Sequence, residues 1–293
     1  MSTKPYKGFE PKWLLTPAPE GSYRSIFRWG DPNFFKYPKE SLYKLMKETF
    51  KMTDEDFKEY TDDIGFDQVD LSSVPSKIDE KHIAALKKIV GDDFVTTGDY
   101  QRLSVAYGAT AYDLLRLRHK IFENIPDVVV YPDTTEHVEK IVKYAVENKI
   151  PLYVYGGGSS VTRGMEAVKG GITLDMRKRF NKLISFNETD QTVTVQAGMS
   201  GPDLENMLQN APTTLGAKRA YTCGHFPQSF EYSSVGGWTV TRGAGQNSTY
   251  YGTIADIVLS QKYATPIGTI RTPHYPREAT GPDLNQIMMG SEG

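Results

Sequence analysis

Gly156, Gly157 and Gly158 stand in a row directly after PLYVY and are followed by Ser159 and Ser160. Glycine carries no Cβ and tolerates positive φ, so three in succession let backbone N–H groups converge on an anion at close range. Two serine hydroxyls add further donors. Such a loop suits the pyrophosphate of a dinucleotide or the phosphate of a smaller ligand. It is neither of the common helix-terminated phosphate loops. Val161 stands where a third spaced glycine would be needed, and no Gly-Lys-Ser/Thr occurs. VTRGMEAVKGGITLDM, which follows, has no apolar helical period and contains Gly164, Gly170 and Gly171, so no helix is expected there. A plain glycine turn between two strands is the alternative reading.

A second chemically dense stretch is TCGHFPQSFEYSSVGGWTVTRGAG, residues 222 to 245. It is rich in glycine and hydroxyl residues and anchored by Phe230, Tyr232, Val235 and Trp238. Loops must satisfy their backbone polar groups, so a long irregular segment of this kind suits wrapping around a ligand. A large structured surface loop is the competing reading. His225 lies in this stretch, and satisfying loop backbone groups is its favoured role over a ligand contact. The other histidines, His82, His119, His137 and His274, lack ligand spacing, and one cysteine cannot build a zinc site. No metal residue is assigned.

The elements that must hold these segments divide near residue 125. Residues 1 to 124 read as an extended arm (1 to 35) and a helical region, with helices over 39–60, 79–90 and 110–121. The first carries an apolar stripe of Leu42, Leu45, Met46 and Phe50. The second presents Ile83, Leu86 and Val90. The third carries Tyr112, Leu115 and Arg116 beside a solvated basic cluster at Arg118, His119 and Lys120. Residues 125 to 293 read as α/β. DVVVYP is a strand, Thr135 caps a helix with Val138, Ile141, Val142, Ala145 and Val146 on one face, and IPLYVY is a second strand. That β-α-β unit implies a right-handed crossover and a parallel pair. GGITLDM, KLISFNE and QTVTVQAG read as strands and GPDLENMLQ as a helix. IADIVLSQKYATPIGTIRT reads as a hairpin of two strands, and GPDLNQIMMG as the start of a helix.

Composition sets wider limits. The 293 residues carry 34 basic and 36 acidic side chains, a formal net of −2, which argues against a nucleic-acid partner. Cys223 is the single cysteine, so no internal disulfide forms, in keeping with a reducing compartment. No apolar run of about 18 residues or signal-like N-terminus occurs.

Four segments resemble the vanillyl-alcohol oxidase family of flavoproteins, and most specifically its alkyldihydroxyacetonephosphate synthase branch. They are VYGGGSS at 154 to 160, GHFPQSFEYSSVGGW at 224 to 238, TRGAG at 241 to 245 and TGPDLNQIMMGSEG at 280 to 293. The likeness runs from about residue 105 to the last residue, and more loosely to FRWGDP at 27 to 32. It implies an α+β fold: a two-subdomain FAD-binding domain with a helical N-terminal extension, lacking the C-terminal cap half. It also implies noncovalent FAD as cofactor. Carried over residue by residue, Val154, Tyr155, Gly156, Gly157, Gly158, Ser159 and Ser160 would hold the pyrophosphate. Gln228, Ser229, Phe230, Glu231, Tyr232, Ser233 and Ser234 would line the flavin and ribityl side. Thr241, Arg242, Gly243 and Ala244 would complete the cradle, and Glu292 and Gly293 match the start of a further cofactor loop.

The departures concern substrate rather than fold. Gln228 replaces a usual Asp, Thr162-Arg163 follows the serines, Gly243-Ala244 replaces Ala-Ser, and APTTLGAKRA at 211 to 220 reads as an insertion. The resemblance implies exchange of the acyl group of acyl-dihydroxyacetone phosphate for a fatty alcohol in ether-lipid synthesis. There the flavin is a covalent electron sink at N5 and no net redox change occurs. A flavin-dependent D-2-hydroxy acid dehydrogenase and a noncatalytic flavin-binding fragment are the alternatives. The chain reads as the cofactor half of a longer enzyme, so no catalytic residue is assigned. A small-molecule lipid or 2-hydroxy acid substrate, peripheral membrane contact through the missing half, a homodimer and a cytoplasmic or peroxisomal setting complete the expectations.

Overall fold

The computed structural model describes residues 22–23, 40–56, 67–275 and 279–293. Most of the expected N-terminal arm, and residues 57–60 of the first expected helix, lie outside these. Strand β1 (Ser22–Tyr23) pairs antiparallel with β2 (Asp67–Gln68). Helix α1 (Glu40–Phe50) is shorter than the expected 39–60, since residues 51–56 are not helical, and its stripe is not buried: Leu42, Leu45 and Phe50 are all exposed. Helix α2 (Glu80–Val90) is capped by the Asp79 side chain, which accepts from Lys81 N at 2.9 Å, and is ended by Gly91 at φ +98°.

The chain then runs through β3 (Val95–Thr96), α3 (Asp99–Ser104) and α4 (Ala111–Arg118) to β4 (Val128–Val130), α5 (Thr135–Glu147), β5 (Leu152–Tyr155) and β6 (Ile172–Asp175). These strands form one sheet in the order β3-β4-β6-β5. β4 and β5 each pair in parallel with β6, while β3 is antiparallel to β4. The β-α-β unit therefore exists, but its two strands are not neighbours, because β6 lies between them. Thr134 rather than Thr135 caps α5, accepting from His137 N at 3.1 Å. Val146, expected on the apolar face, is exposed.

Every residue of β4 and β6 is buried, as a sheet covered on both faces requires. Leu86 and Val90 of α2, Ile141 and Ala145 of α5, and the valines and isoleucine of the central strands share this core. Residues from both sides of position 125 thus pack together.

A second lobe begins with the antiparallel pair β7 (Leu183–Asn187) and β8 (Thr192–Val195). It continues through α6 (Gly201–Gln209), α7 (Ala211–Thr214), α8 (Val235–Val240), α9 (Ser248–Tyr251) and α10 (Ile254–Ile257). Ile254–Ile257 was expected as strand. It turns helical because Thr253 N donates to the Asp256 carboxylate at 2.9 Å, a helix-start pairing. Met199, Leu204, Leu208, Phe230, Trp238 and Ile254 form the core of this lobe. The hairpin β9 (Lys262–Thr265) and β10 (Gly268–Arg271) crosses back to the first lobe. There Glu139 of α5 accepts from Lys262 Nζ at 3.0 Å and Thr269 Oγ1 at 2.8 Å. A single helical turn, α11 (Asn285–Met288), precedes the final residues.

Candidate functional site

The glycine loop leaves the carboxyl end of β5, beside Asp175 at the carboxyl end of β6. Open α/β sheets bind ligands at this end of their strands. Of the three glycines only Gly158 has positive φ, +73°. Gly156 and Gly157 are needed for a different reason. A Cβ on Gly157 would collide with Tyr232 O and Ser233 Cα, and one on Gly156 would lie 2.5 Å from Ser234 Oγ. The loop is thus pressed against the second expected segment. Among the described residues, no protein acceptor takes the N–H groups of Gly157, Gly158 or Ser159. Three free donors in succession form the kind of nest that phosphate oxygens fill.

The facing segment is rigid. Trp238 Nε1 donates to Ser233 Oγ at 2.6 Å, Ser233 Oγ donates to Ser229 O at 2.8 Å, and Ser234 Oγ caps α8 by accepting from Gly237 N at 3.3 Å. Phe230 stacks on Trp238 with centroids 6.2 Å apart. The aromatic anchors point into the second core, so this stretch is partly a structured wall. Burial raises the pKa of the Glu231 carboxyl. Gln228, Thr241, Arg242 and Ala244 are exposed.

The last residues close on the same place. Glu292 N donates to Val240 O at 3.0 Å, and Thr162 Oγ1 donates to Glu292 Oε2 at 2.6 Å. A Cβ on Gly293 would sit 3.9 Å from Val154 Cβ. The loop, the wall, the end of α8 and residues 290–293 therefore converge. Arg242 Nη2 donates to Gln286 O at 3.2 Å and borders a cavity of about 590 Å³ shared with Thr253, Asp256 and Asp283. None of the glycine-loop residues lines that cavity, so it does not mark the phosphate nest.

His225 departs from its expected role. It is 1% exposed, yet neither ring nitrogen has a hydrogen-bond partner among the described residues. Its ring meets Trp238 edge-on at 4.9 Å, and Nε2 lies 3.4 Å from where a Cβ on Gly243 would be. Burial lowers its pKa to about 4, so the ring is neutral at pH 7. A neutral buried imidazole without partners fits a site that takes a polar ligand.

Two features escaped the sequence reading. Arg177, just past β6, lies with its guanidinium 4.5 Å from the Tyr155 ring centroid and donates to Asp175 at 2.6 and 3.0 Å. The second is an ion cluster behind the loop. Of the set expected together on α4, Tyr112 and Leu115 are exposed and Arg116 is buried, and it is joined inside by Asp113. Arg116 Nη2 donates to Asp113 Oδ1 at 2.6 Å and to Glu166 Oε1, and its guanidinium lies 4.3 Å from the Tyr107 ring centroid. Glu166 also accepts from Arg163 Nε at 2.6 Å, Arg163 Nη2 at 2.8 Å and Asn124 Nδ2 at 2.7 Å. Burial alone would raise the Glu166 pKa. Hydrogen bonds from Arg163, Arg116 and Asn124 outweigh it and hold the carboxyl at about 2. The i,i+3 pairs Asp113/Arg116 and Arg163/Glu166 were the available signal. His119 and Lys120 are exposed, as expected.

Comparison with known proteins agrees with this geometry. Residues 126–273 match the family described as FAD binding domain. An alkyldihydroxyacetonephosphate synthase of Trypanosoma brucei brucei is 29% identical over 262 residues, covering 87% of this chain and 41% of the relative. A mitochondrial D-lactate dehydrogenase [cytochrome] of Saccharomyces cerevisiae is 30% identical, covering 78% of this chain and 37% of the relative. A solved alkyldihydroxyacetonephosphate synthase superposes with a TM-score of 0.69 at 27% identity, over 94% of this chain and 50% of that one. This chain therefore spans about two fifths of the curated relatives' length.

Proposed function

The chain belongs to the FAD binding domain family and its cofactor is FAD, and on that premise we propose that it is the cofactor-binding portion of an alkyldihydroxyacetonephosphate synthase-like transferase. The observation that carries the binding mode is the row of N–H groups at Gly157, Gly158 and Ser159 that have no acceptor among the described residues. In this reading the loop from Val154 to Ser160 takes the pyrophosphate. Gln228 to Ser234 and Thr241 to Ala244 flank the ribityl and flavin side, and Glu292 and Gly293 close the mouth. When bound, FAD supplies an electrophilic ring that accepts electrons from the substrate. The residues of this chain bind and orient it, and the packed wall at Ser229, Ser233 and Trp238 resists deformation around it. The neutral ring of His225 offers one donor and one acceptor to a ligand.

The likeness to D-lactate dehydrogenases supports a second reading, oxidation of a D-2-hydroxy acid. The test is FAD titration followed by paired assays on the full-length protein. One arm follows exchange of the acyl chain of acyl-dihydroxyacetone phosphate for a fatty alcohol; the other follows D-lactate oxidation with an artificial acceptor. Exchange without oxidation supports the synthase reading. Oxidation without exchange replaces it with the dehydrogenase, and failure to bind FAD defeats both.

A further inference from the structure

Between β5 and β6 the chain runs from Gly156 to Gly171 without helix or strand. Something else must hold the segment that carries the free N–H groups. Ahead of Arg163 the described backbone bonds provide one direct tie, Ala109 N donating to Ser160 O at 2.8 Å. Gly108 permits it, because a Cβ there would strike Ser160 O. Three residues further on, Arg163 adopts φ +67°, a conformation unfavourable to a side chain unless its surroundings enforce it. The enforcing contact is Glu166, which grips Arg163 through two hydrogen bonds and is itself gripped by Arg116 and Asn124.

We propose that Glu166 and Arg116 are positioning residues for the phosphate loop, setting from behind the place of Ser159 and Ser160 without touching the cofactor. The inference rests on the FAD reading above for its ligand and on the ion cluster for its mechanism. A buried ion pair adds little net stability compared with well-packed apolar side chains. What it adds here is one fixed geometry for a segment that has no ladder of its own. Charge within the cluster balances: Arg116 and Arg163 face Asp113 and Glu166. Glu123, 60% exposed, is the further carboxylate facing Arg116, at 3.8 Å.

The experiment uses the full-length protein and three variants: Glu166→Gln, the apolar double variant Arg116→Met/Glu166→Met, and Leu86→Ala as a control for lost stability in the first core. Two quantities are read. One is amide hydrogen exchange in flavin-free protein at Ala109, whose N–H is held by Ser160 O. The other is affinity for FAD and for ADP, by fluorescence titration and competition. The double variant leaves the buried Asp113 carboxylate without its guanidinium partner and should lose stability, as Leu86→Ala does. It should also exchange at least tenfold faster at Ala109 and bind FAD and ADP at least tenfold more weakly. Leu86→Ala should lose stability yet keep both readouts within about twofold. Wild-type exchange and affinity in the double variant would overturn the proposal, as would equal losses in Leu86→Ala. If the double variant does not fold, Glu166→Gln, which keeps the shape and removes the charge, decides by the same criteria. If wild-type protein binds no FAD, the functional reading falls, and the exchange measurement alone still decides the positioning role.

Discussion

Glu166 and His225 are almost equally buried, 4% and 1% exposed, yet they are treated in opposite ways. Glu166 is surrounded by donors from three side chains, and its charge is kept. His225 has none, and its charge is lost. The interior therefore holds two kinds of polar residue. One is satisfied by the protein and fixes a conformation; the other has no hydrogen-bond partner among the described residues. Burial alone would have ranked them together, and only the partner count separates them.

The sharpest way to break this contrast is to remove each residue in turn. Glu166→Leu leaves Arg116 buried with one carboxylate fewer and should cost about 3–5 kcal/mol in urea unfolding. His225→Phe strands no partner and should be neutral or stabilising at pH 7. Equal losses would erase the distinction.

Acidification should sharpen it. His225 is depressed to about 4 from 6.5, so between those values the unfolded chain binds the extra proton and stability falls as pH drops. The loss at pH 4 should approach about 3 kcal/mol and vanish in His225→Phe. Glu166, held at about 2, keeps its contribution through that window and loses it only below the ordinary carboxylate range. Urea midpoints of flavin-free protein across pH 3 to 7 check both.

Gly157→Val comes next, with an expected cost of about 1–3 kcal/mol. Its side chain would press on the Tyr232 backbone, so it should loosen the seam as well as weaken FAD binding. Near-normal thermal stability in this variant would show that the seam shifts freely around the added side chain. The smallest change should be Gly243→Ala, whose Cβ would lie at ordinary contact distance from His225 Nε2. It should alter stability by less than about 1 kcal/mol, while a large drop in FAD affinity would show that the His225 side needs the open space.

Much of this arrangement was readable from local pattern. The all-apolar β4, the amphipathic α5, the β9–β10 turn and the glycine loop each carry their signal within a few residues. The strand order did not, because the insertion of β6 between β4 and β5 is a pairing chosen at long range. The burial of Asp113 was hidden by hydropathy, and Tyr112 and Leu115, grouped with Arg116 in the sequence, turned out exposed. That burial becomes readable only when a carboxylate 50 residues from Arg116 is known to lie opposite it. The vacant partners of His225 have no sequence signal, since an unsatisfied group is defined by its surroundings. The Thr253–Asp256 pairing was legible, but the β-branched run that follows it drew the assignment to strand.

Two of the contacts described above, Thr162 with Glu292 and Thr269 with Glu139, each span 130 residues. Closing such distances costs chain entropy before any contact compensates, so they belong to the slow, topologically expensive class of folding events. The parallel sheet can assemble from segments much nearer in sequence. During synthesis the phosphate loop would therefore take shape well before the mouth of its site closes, and in the finished molecule that mouth would reopen first.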